Sequence, residues 1–270
     1  MILLEMLSYP FLVRAFVVGV LVSLCAALLG TSLVLKRFSM IGDGLSHVGF
    51  GALAIASALG VAPLAVAVPV VVIAAVLLLR VSQSGKVRGD AAIALISSGA
   101  LAIGVLVISL TSGVNTNVSN YMFGSILTIS SSDAVLSVIL CAAVLVVFTL
   151  FYPRIFAVTF DETFARATGT KAEGYNMLLA ILTAITVVLG MRMMGALLIS
   201  SLIIFPALSA MRVFRSFRSV TLCSALLSVV CFTLGMTLSY ALETPSGASV
   251  VAVNIIAFVL FALAGRLLRR

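Results

Sequence analysis

Long apolar segments, separated by short polar connections, run from one end of the chain to the other. Each is close to the roughly 20 residues that an α-helix needs to cross the hydrocarbon core of a bilayer. The pattern predicts an all-α polytopic membrane protein with eight or nine transmembrane helices in one domain, residues 1–270. The candidate spans are about 11–35, 43–60, 61–79, 92–111, 132–152, 174–191, 193–212, 217–241 and 249–267.

Composition supports a membrane protein and argues against a nucleic-acid-binding protein. The chain is 63% hydrophobic and 9% charged, which is far too apolar for a soluble domain. Its net charge of +8 comes from basic residues in the short connections, so lipid and not nucleic acid is the expected surrounding. Its four cysteines lie within apolar segments, without a C-x-x-C pair, and are predicted to pack as small hydrophobic residues.

The distribution of lysine and arginine predicts the orientation. With the N-terminus outside, an odd number of spans places the C-terminus in the cytoplasm. All of the 16 basic residues except Arg14 and Arg192 then lie on the cytoplasmic side. The reversed orientation places nearly all of this charge outside, which the positive-inside rule disfavours. Arg192 is expected to extend to the outer interface, and Asp133 to lie in an outer loop.

Two connections have a pattern of their own. Residues 111–133, on the predicted outer side, have a short apolar centre, 121–129, which is expected to form a re-entrant or interfacial turn. Residues 159–169, on the predicted inner side, are expected to form a short amphipathic helix. Its predicted features are a capping box from Thr159 to Glu162, a stop at Gly169, and one apolar face of Phe160, Phe164 and Ala167.

The candidate chemistry lies in the segment I-G-D-G-L-S-H, where Asp43 precedes His47, the only histidine of the chain. Ionisable groups inside a span are costly and commonly mark an ion or substrate pathway. On a helix the two side chains lie one turn apart on one face, and a carboxylate with an imidazole suits Zn²⁺, Mn²⁺ or Fe²⁺. Two ligands are too few for a tight closed site, and a homodimer with this face on its two-fold axis would bring four. A structural hydrogen bond or a proton relay between the two groups remains an alternative.

Several motifs, taken in order, resemble those of the ABC-3 family of metal-uptake permeases, the membrane subunits of bacterial importers of zinc, manganese or iron. They span about residues 10–265 and comprise L-K-R-F-S-M-I-G-D-G-L-S-H, G-D-A-A-I-A-L, Y-M-F-G-S-I-L-T-I-S-S-S-D, F-D-E-T-F-A-R-A-T-G, M-G-A-L-L-I-S-S-L-I-I-F-P-A-L-S-A and S-Y-A-L-E-T-P-S-G-A. The resemblance implies a homodimeric permease in the bacterial plasma membrane, with an ATP-binding subunit docked on each copy and an extracytoplasmic protein that delivers the ion.

The resemblance also implies roles for individual residues. Asp43 and His47 correspond to pathway metal ligands, which hold the transported ion transiently, with no permanently bound cofactor. The short inner helix corresponds to the coupling helix that contacts the ATPase. Its expected members are Phe160, Asp161, Glu162, Phe164, Ala165, Arg166 and Ala167.

The function predicted from the sequence is therefore transport without covalent chemistry. No G-x-x-x-x-G-K-[ST] phosphate loop is present, so ATP must be used by a partner. The alternatives are a secondary, proton-coupled metal transporter and an ABC permease for a metal chelate such as a siderophore. An intramembrane hydrolase is disfavoured, because neither G-x-S-x-G nor H-E-x-x-H occurs.

Overall fold

The computed structural model describes residues 8–83, 89–111 and 130–268, and these residues form α-helices joined by short connections. In chain order the helices are α1 (Pro10–Leu35), α2 (Ile41–Ala58), α3 (Pro63–Gln83), α4 (Gly89–Leu110), α5 (Ser131–Leu150), α6 (Tyr152–Phe160), α7 (Glu162–Ala167), α8 (Ala172–Met194), α9 (Ala196–Val213), α10 (Phe217–Leu242) and α11 (Ser246–Leu268). Within the described ranges there is no strand. The predicted turn at 121–129 lies outside the described residues.

Among the described residues, eight helices are long and apolar enough to cross a membrane: α1, α3, α4, α5, α8, α9, α10 and α11. This confirms the prediction of an all-α polytopic membrane protein. The remaining long helix, α2, has 18 residues but contains Asp43, His47 and several glycines, which lower its hydropathy. The predicted second span is thus not among the eight, because its polar residues lower its hydropathy. The orientation of the termini stays a prediction.

The polar helix α2 is nevertheless the one that the other helices surround. It packs against α3, α4, α8 and α9, and most of its side chains are buried. Elsewhere in the bundle, α1 and α11 each pack against α9 and α10. Most of α2 is therefore covered by apolar helices, and the neighbours leave open only part of its surface.

Glycines set the distance between the central helices. A Cβ placed on Gly30 of α1 would lie 2.0 Å from the backbone oxygen of Ile203 in α9. A Cβ on Gly51 of α2 would lie 2.7 Å from the backbone oxygen of Ala100 in α4. Both distances are shorter than any real contact, so only glycine permits these helices to approach so closely.

The cysteines behave as predicted. All four are free thiols; Cys25, Cys141 and Cys231 are buried, and Cys223 is partly buried. They contribute apolar volume between helices, as small hydrophobic residues do.

Candidate functional site

Asp43 and His47 lie on one face of α2, as their spacing requires. Asp43 Oδ2 is 3.8 Å from His47 Nε2. The other carboxylate oxygen, Oδ1, accepts a hydrogen bond of 3.3 Å from the hydroxyl of Ser200 in α9. Ser200 could not be selected from the sequence, because only the packing of α9 against α2 brings it to the pair.

The surrounding helices leave this face of α2 partly uncovered. The side chains of Asp43 and His47 are 42% and 24% exposed, whereas nearly all other residues of the helix are buried. Met40, one turn before the pair, and Ile55, two turns after it, are also exposed. Gly51, which lies between His47 and Ile55 at helical spacing, is buried against α4. The open part of this face is therefore confined to the start of α2, around Asp43 and His47.

The pair on its own offers an incomplete metal site. A carboxylate oxygen and an imidazole nitrogen match the ligand preferences of Zn²⁺ and Mn²⁺. Among the residues that the structure describes, no group of three or more His, Cys, Asp or Glu side chains is placed to hold a metal ion. A single chain therefore supplies two such ligands, and the role of Asp43 and His47 in metal binding stays a prediction.

The inner connection differs in detail from the prediction. The amphipathic helix expected at 159–169 is two helices, α6 and α7, separated at Asp161, whose backbone is extended (φ −145°, ψ 95°). The predicted capping box at Thr159 is wrong, because Thr159 belongs to the last turn of α6. Instead the side chain of Asp161 caps α7 and accepts a 2.9 Å hydrogen bond from the backbone N–H of Phe164. Aspartate is an equally good cap, and it also matches the helix dipole.

The end of α7 agrees with the prediction. Gly169 has φ +84°. Its N–H donates to the carbonyl of Arg166, and the N–H of Thr170 donates to the carbonyl of Ala165. This is the Schellman pattern, in which a glycine in the left-handed region closes a helix.

The exposed side of α7 carries an aromatic ring. Phe164 is 64% exposed, and Ala165 behind it is fully buried in a small cluster with Val158 and Ala172. Phe160 does not share a helix with Phe164, since it ends α6, where it contacts the rings of Phe156 and Phe217. Phe160, Phe164 and Ala167 are nonetheless all exposed, so α6 and α7 together present an apolar surface.

A polar cluster that the sequence did not indicate fixes α7 to the helical bundle. We call Lys36, Glu162 and Asn176 the Lys36 cluster. Lys36 Nζ lies 3.2 Å from Glu162 Oε2 and donates a 2.6 Å hydrogen bond to Asn176 Oδ1. Asn176 Nδ2 donates a 3.0 Å hydrogen bond to the same Glu162 oxygen. Arg166 also pairs with Glu162, at 2.7 Å, but on the exposed side.

Burial and the neighbouring groups shift the pKa values of both ionisable members of the cluster. Burial lowers the pKa of Lys36, and the Glu162 carboxylate opposes that shift. Burial alone would raise the pKa of Glu162, but hydrogen bonds from Asn176 and Arg166 and the charge of Lys36 outweigh it. The pKa of Glu162 therefore lies below its usual range, so the cluster favours the charged carboxylate.

A second ion pair lies at the predicted outer end. Arg192, in the last turn of α8, is 2.8 Å from Asp133, in the first turn of α5. Arg192 therefore does not simply extend to the interface, and Asp133 belongs to a helix, not to a loop. Nearby, Arg14 of α1 donates a hydrogen bond to Ser131. The sequence could not pair these residues, because they lie 59 positions apart.

Comparisons with known proteins agree with this architecture. The chain is 27% identical to the manganese import system permease protein ScaB of Streptococcus gordonii, over 93% of this chain and 90% of that protein. It is 30% identical to the high-affinity zinc uptake system membrane protein ZnuB of Haemophilus influenzae, over 93% and 97% of the two chains. Its fold is similar to that in the structure of PsaBC from Streptococcus pneumoniae in complex with Fab, with a TM-score of 0.85, 25% identity, and coverage of 96% and 95%. The model of the ABC 3 transport family matches residues 8–265, and the chain belongs to this family.

Proposed function

We propose that this protein is the permease subunit of an ATP-driven importer of a divalent transition metal ion, zinc, manganese or iron, in the bacterial plasma membrane. The relatives ScaB and ZnuB are named for manganese and for zinc. The observation that carries the proposal is the carboxylate–imidazole pair of Asp43 and His47 on the open face of α2. Such a pair binds these metals and releases them again, because two ligands do not form a closed site.

A homodimer would cover the open face at the start of α2. In a single chain the Asp43 carboxylate is 42% exposed within a bundle of apolar helices, and exposure of a carboxylate to hydrocarbon is costly. A second copy placed across this face would cover it and would bring four ligands to one ion. In a homodimer with Met40, which is also exposed, near the two-fold axis, a cysteine at this position forms an intermolecular disulfide. Leu226→Cys, on the exposed face of α10, is the control. Failure of Met40→Cys to cross-link in a chain without its native cysteines argues against this dimer.

The ATP-binding subunit is proposed to dock on the exposed face of α6 and α7. The face combines Phe160 and Phe164, both more than half exposed, with an adjacent groove of ≈ 470 Å³ that is lined by Arg166 and residues 169–174. Exposed aromatic side chains next to charged residues are typical of a protein interface. Phe164→Ala should weaken binding of the ATPase, measured as co-purification from detergent, without changing metal binding.

The decisive experiment removes the imidazole. His47→Ala in the complete importer, reconstituted into liposomes, should abolish uptake of Mn²⁺ and Zn²⁺ while the ATP-binding subunit still co-purifies. Asp43→Asn should do the same, because a neutral amide is a weaker metal ligand than a carboxylate. Normal uptake by both variants would reject the pathway role of the pair.

The same liposomes separate the alternatives. ATP-dependent uptake of the free ion agrees with the proposal. Uptake that persists without the ATP-binding subunit and follows a proton gradient would favour a secondary transporter. Uptake of a metal chelate, with none of the free ion, would favour a chelate permease. Since the family is a transport family and relatives such as ScaB are named as permeases, an enzymatic role has no support.

A further inference from the structure

The Lys36 cluster joins the surface proposed for the ATPase to the helix that carries Asp43 and His47. Glu162 is the first residue of α7, Asn176 lies in the first turns of α8, and Lys36 caps the end of α1. Only residues 37–40 separate Lys36 from α2. The path from α7 to the start of α2 therefore consists of one partly buried side-chain cluster and a very short connection.

Three mutual contacts hold the cluster together, and two of its members are nearly buried. The side chains of Lys36 and Glu162 are 10% and 34% exposed, and Asn176 is 6% exposed. Each member bonds to both of the others, and two of the three members are charged. Charge-assisted hydrogen bonds that are shielded from water are stronger than neutral ones. The exposed pair of Glu162 with Arg166, which is 54% exposed, contributes less.

The connection from Lys36 to α2 begins with a hydrogen-bonded turn. Arg37 adopts φ +60°, its N–H donates to Val34, and the N–H of Phe38 donates to Leu33. This is a Schellman closure of α1 with an arginine in the position that normally holds glycine. An L-residue costs roughly 1 kcal/mol there, a cost that the contacts around the turn must offset.

Hydrogen bonds continue from this turn into α2. The N–H of Ile41 donates to Phe38, and the N–H of Gly44 donates to Met40. Asp43 lies in this first turn of α2. Backbone hydrogen bonds thus bridge most of the connection from Lys36 to Asp43.

We propose that Lys36, Glu162 and Asn176 are positioning residues that couple the movement of α7 to the start of α2, and so to the Asp43 carboxylate. The proposal rests on the proposed function, because it supplies the path by which ATP-driven closure changes access to the pair. An ion pathway responds to ATP only if the geometry of its ligands differs between the two states. The cluster transmits that change of geometry to the start of α2.

The test uses the importer with its ATP-binding subunit and two measurements. The first is the ratio of Mn²⁺ or Zn²⁺ ions imported per ATP hydrolysed in liposomes. The second is amide hydrogen exchange of residues 36–44 with and without a non-hydrolysable ATP analogue. Lys36→Met and Glu162→Gln should each lower the transport ratio about tenfold, the factor expected for one charged hydrogen bond. Both should remove the nucleotide effect on exchange, while metal binding and ATP hydrolysis persist.

Two further variants serve as a control and as a rescue. Arg215→Gln removes an exposed charge from the connection between α9 and α10 and should leave the ratio unchanged. The exchanged pair Lys36→Glu with Glu162→Lys should restore part of the ratio, because the Asn176 amide offers a donor and an acceptor to either arrangement. A purely structural cluster would instead lower stability and metal binding together.

The outcomes distinguish the two proposals. If the importer carries metal but nucleotide leaves exchange at 36–44 unaltered, or if Lys36→Met and Glu162→Gln behave as the wild type, the coupling role is wrong. If nucleotide changes exchange in the wild type and not in the variants, but no metal is imported, the coupling role stands and the cargo is wrong.

Discussion

The ion pair between Arg192 and Asp133 allows a quantitative test of the structure. The two side chains are 20% and 18% exposed and lie 2.8 Å apart. Asp133 is in the first turn of α5 and Arg192 is in the last turn of α8, so each charge also matches its own helix dipole. Arg192→Met removes one charge and leaves the carboxylate partly buried without its partner.

The expected loss of stability lies between two limits. Breaking a fully buried pair costs about 3–5 kcal/mol, and breaking an exposed pair costs about 0–1 kcal/mol. Because about a fifth of each side chain is exposed, we expect Arg192→Met to lower the free energy of unfolding by about 2–3 kcal/mol. The double variant with Asp133→Asn should lose less than the sum of the single variants, because no uncompensated charge remains.

The chain supplies both a reporter and a control. Cys25, Cys141 and Cys231 are buried free thiols, so labelling by a thiol-reactive dye in detergent follows unfolding. Arg14→Met is the matched control, since Arg14 is an exposed arginine that contacts Ser131, also in the first turn of α5. It should change stability by less than about 0.5 kcal/mol. Equal stability of both arginine variants, or strictly additive losses at Arg192 and Asp133, would refute the reasoning.

Three further predictions follow from the packing. Gly30→Ala places a Cβ 2.0 Å from the backbone of Ile203 and should sharply reduce the yield of folded protein on size-exclusion chromatography. Gly174→Ala, whose Cβ meets no atom closer than 4.0 Å, should not; equal yields would contradict the close approach of α1 and α9. Ser200→Ala removes the hydrogen bond to the Asp43 carboxylate and should weaken metal binding about tenfold by calorimetry, and unchanged affinity would separate Ser200 from the site. Gly169→Ala forces a side chain into φ +84° and should cost roughly 1 kcal/mol at the end of α7, seen as faster amide exchange there; unaltered exchange would contradict the assigned closure.

Much of the fold could be predicted from the sequence, because the properties that let a helix span a bilayer belong to a single segment of the chain. Length and hydropathy alone determine whether a segment can cross a membrane, so eight of the nine predicted spans reappear as long apolar helices. The ninth, α2, is less apolar because it contains Asp43 and His47. Their placement on one face also depends only on a spacing of four residues, which any helix satisfies.

The helix α7 could be predicted only in part from its neighbouring residues in the sequence. The stop at Gly169 was predictable, because only glycine takes that backbone conformation cheaply. The start was not, because Thr159 and Asp161 are both suitable caps. The choice between them depends on where α6 ends, and the contacts of Phe156 and Phe160 with Phe217 of α10 hold that helix in place.

The sequence by itself therefore determined the membrane class, the number of long helices and the chemical identity of the candidate pair. Only the tertiary structure brought Ser200 to Asp43, Asp133 to Arg192, and Lys36 to Glu162 and Asn176. These contacts join residues between 59 and 157 positions apart. The physical reason is that hydropathy and helical periodicity act within a segment, whereas the packing of one helix on another decides which polar groups can satisfy each other away from water.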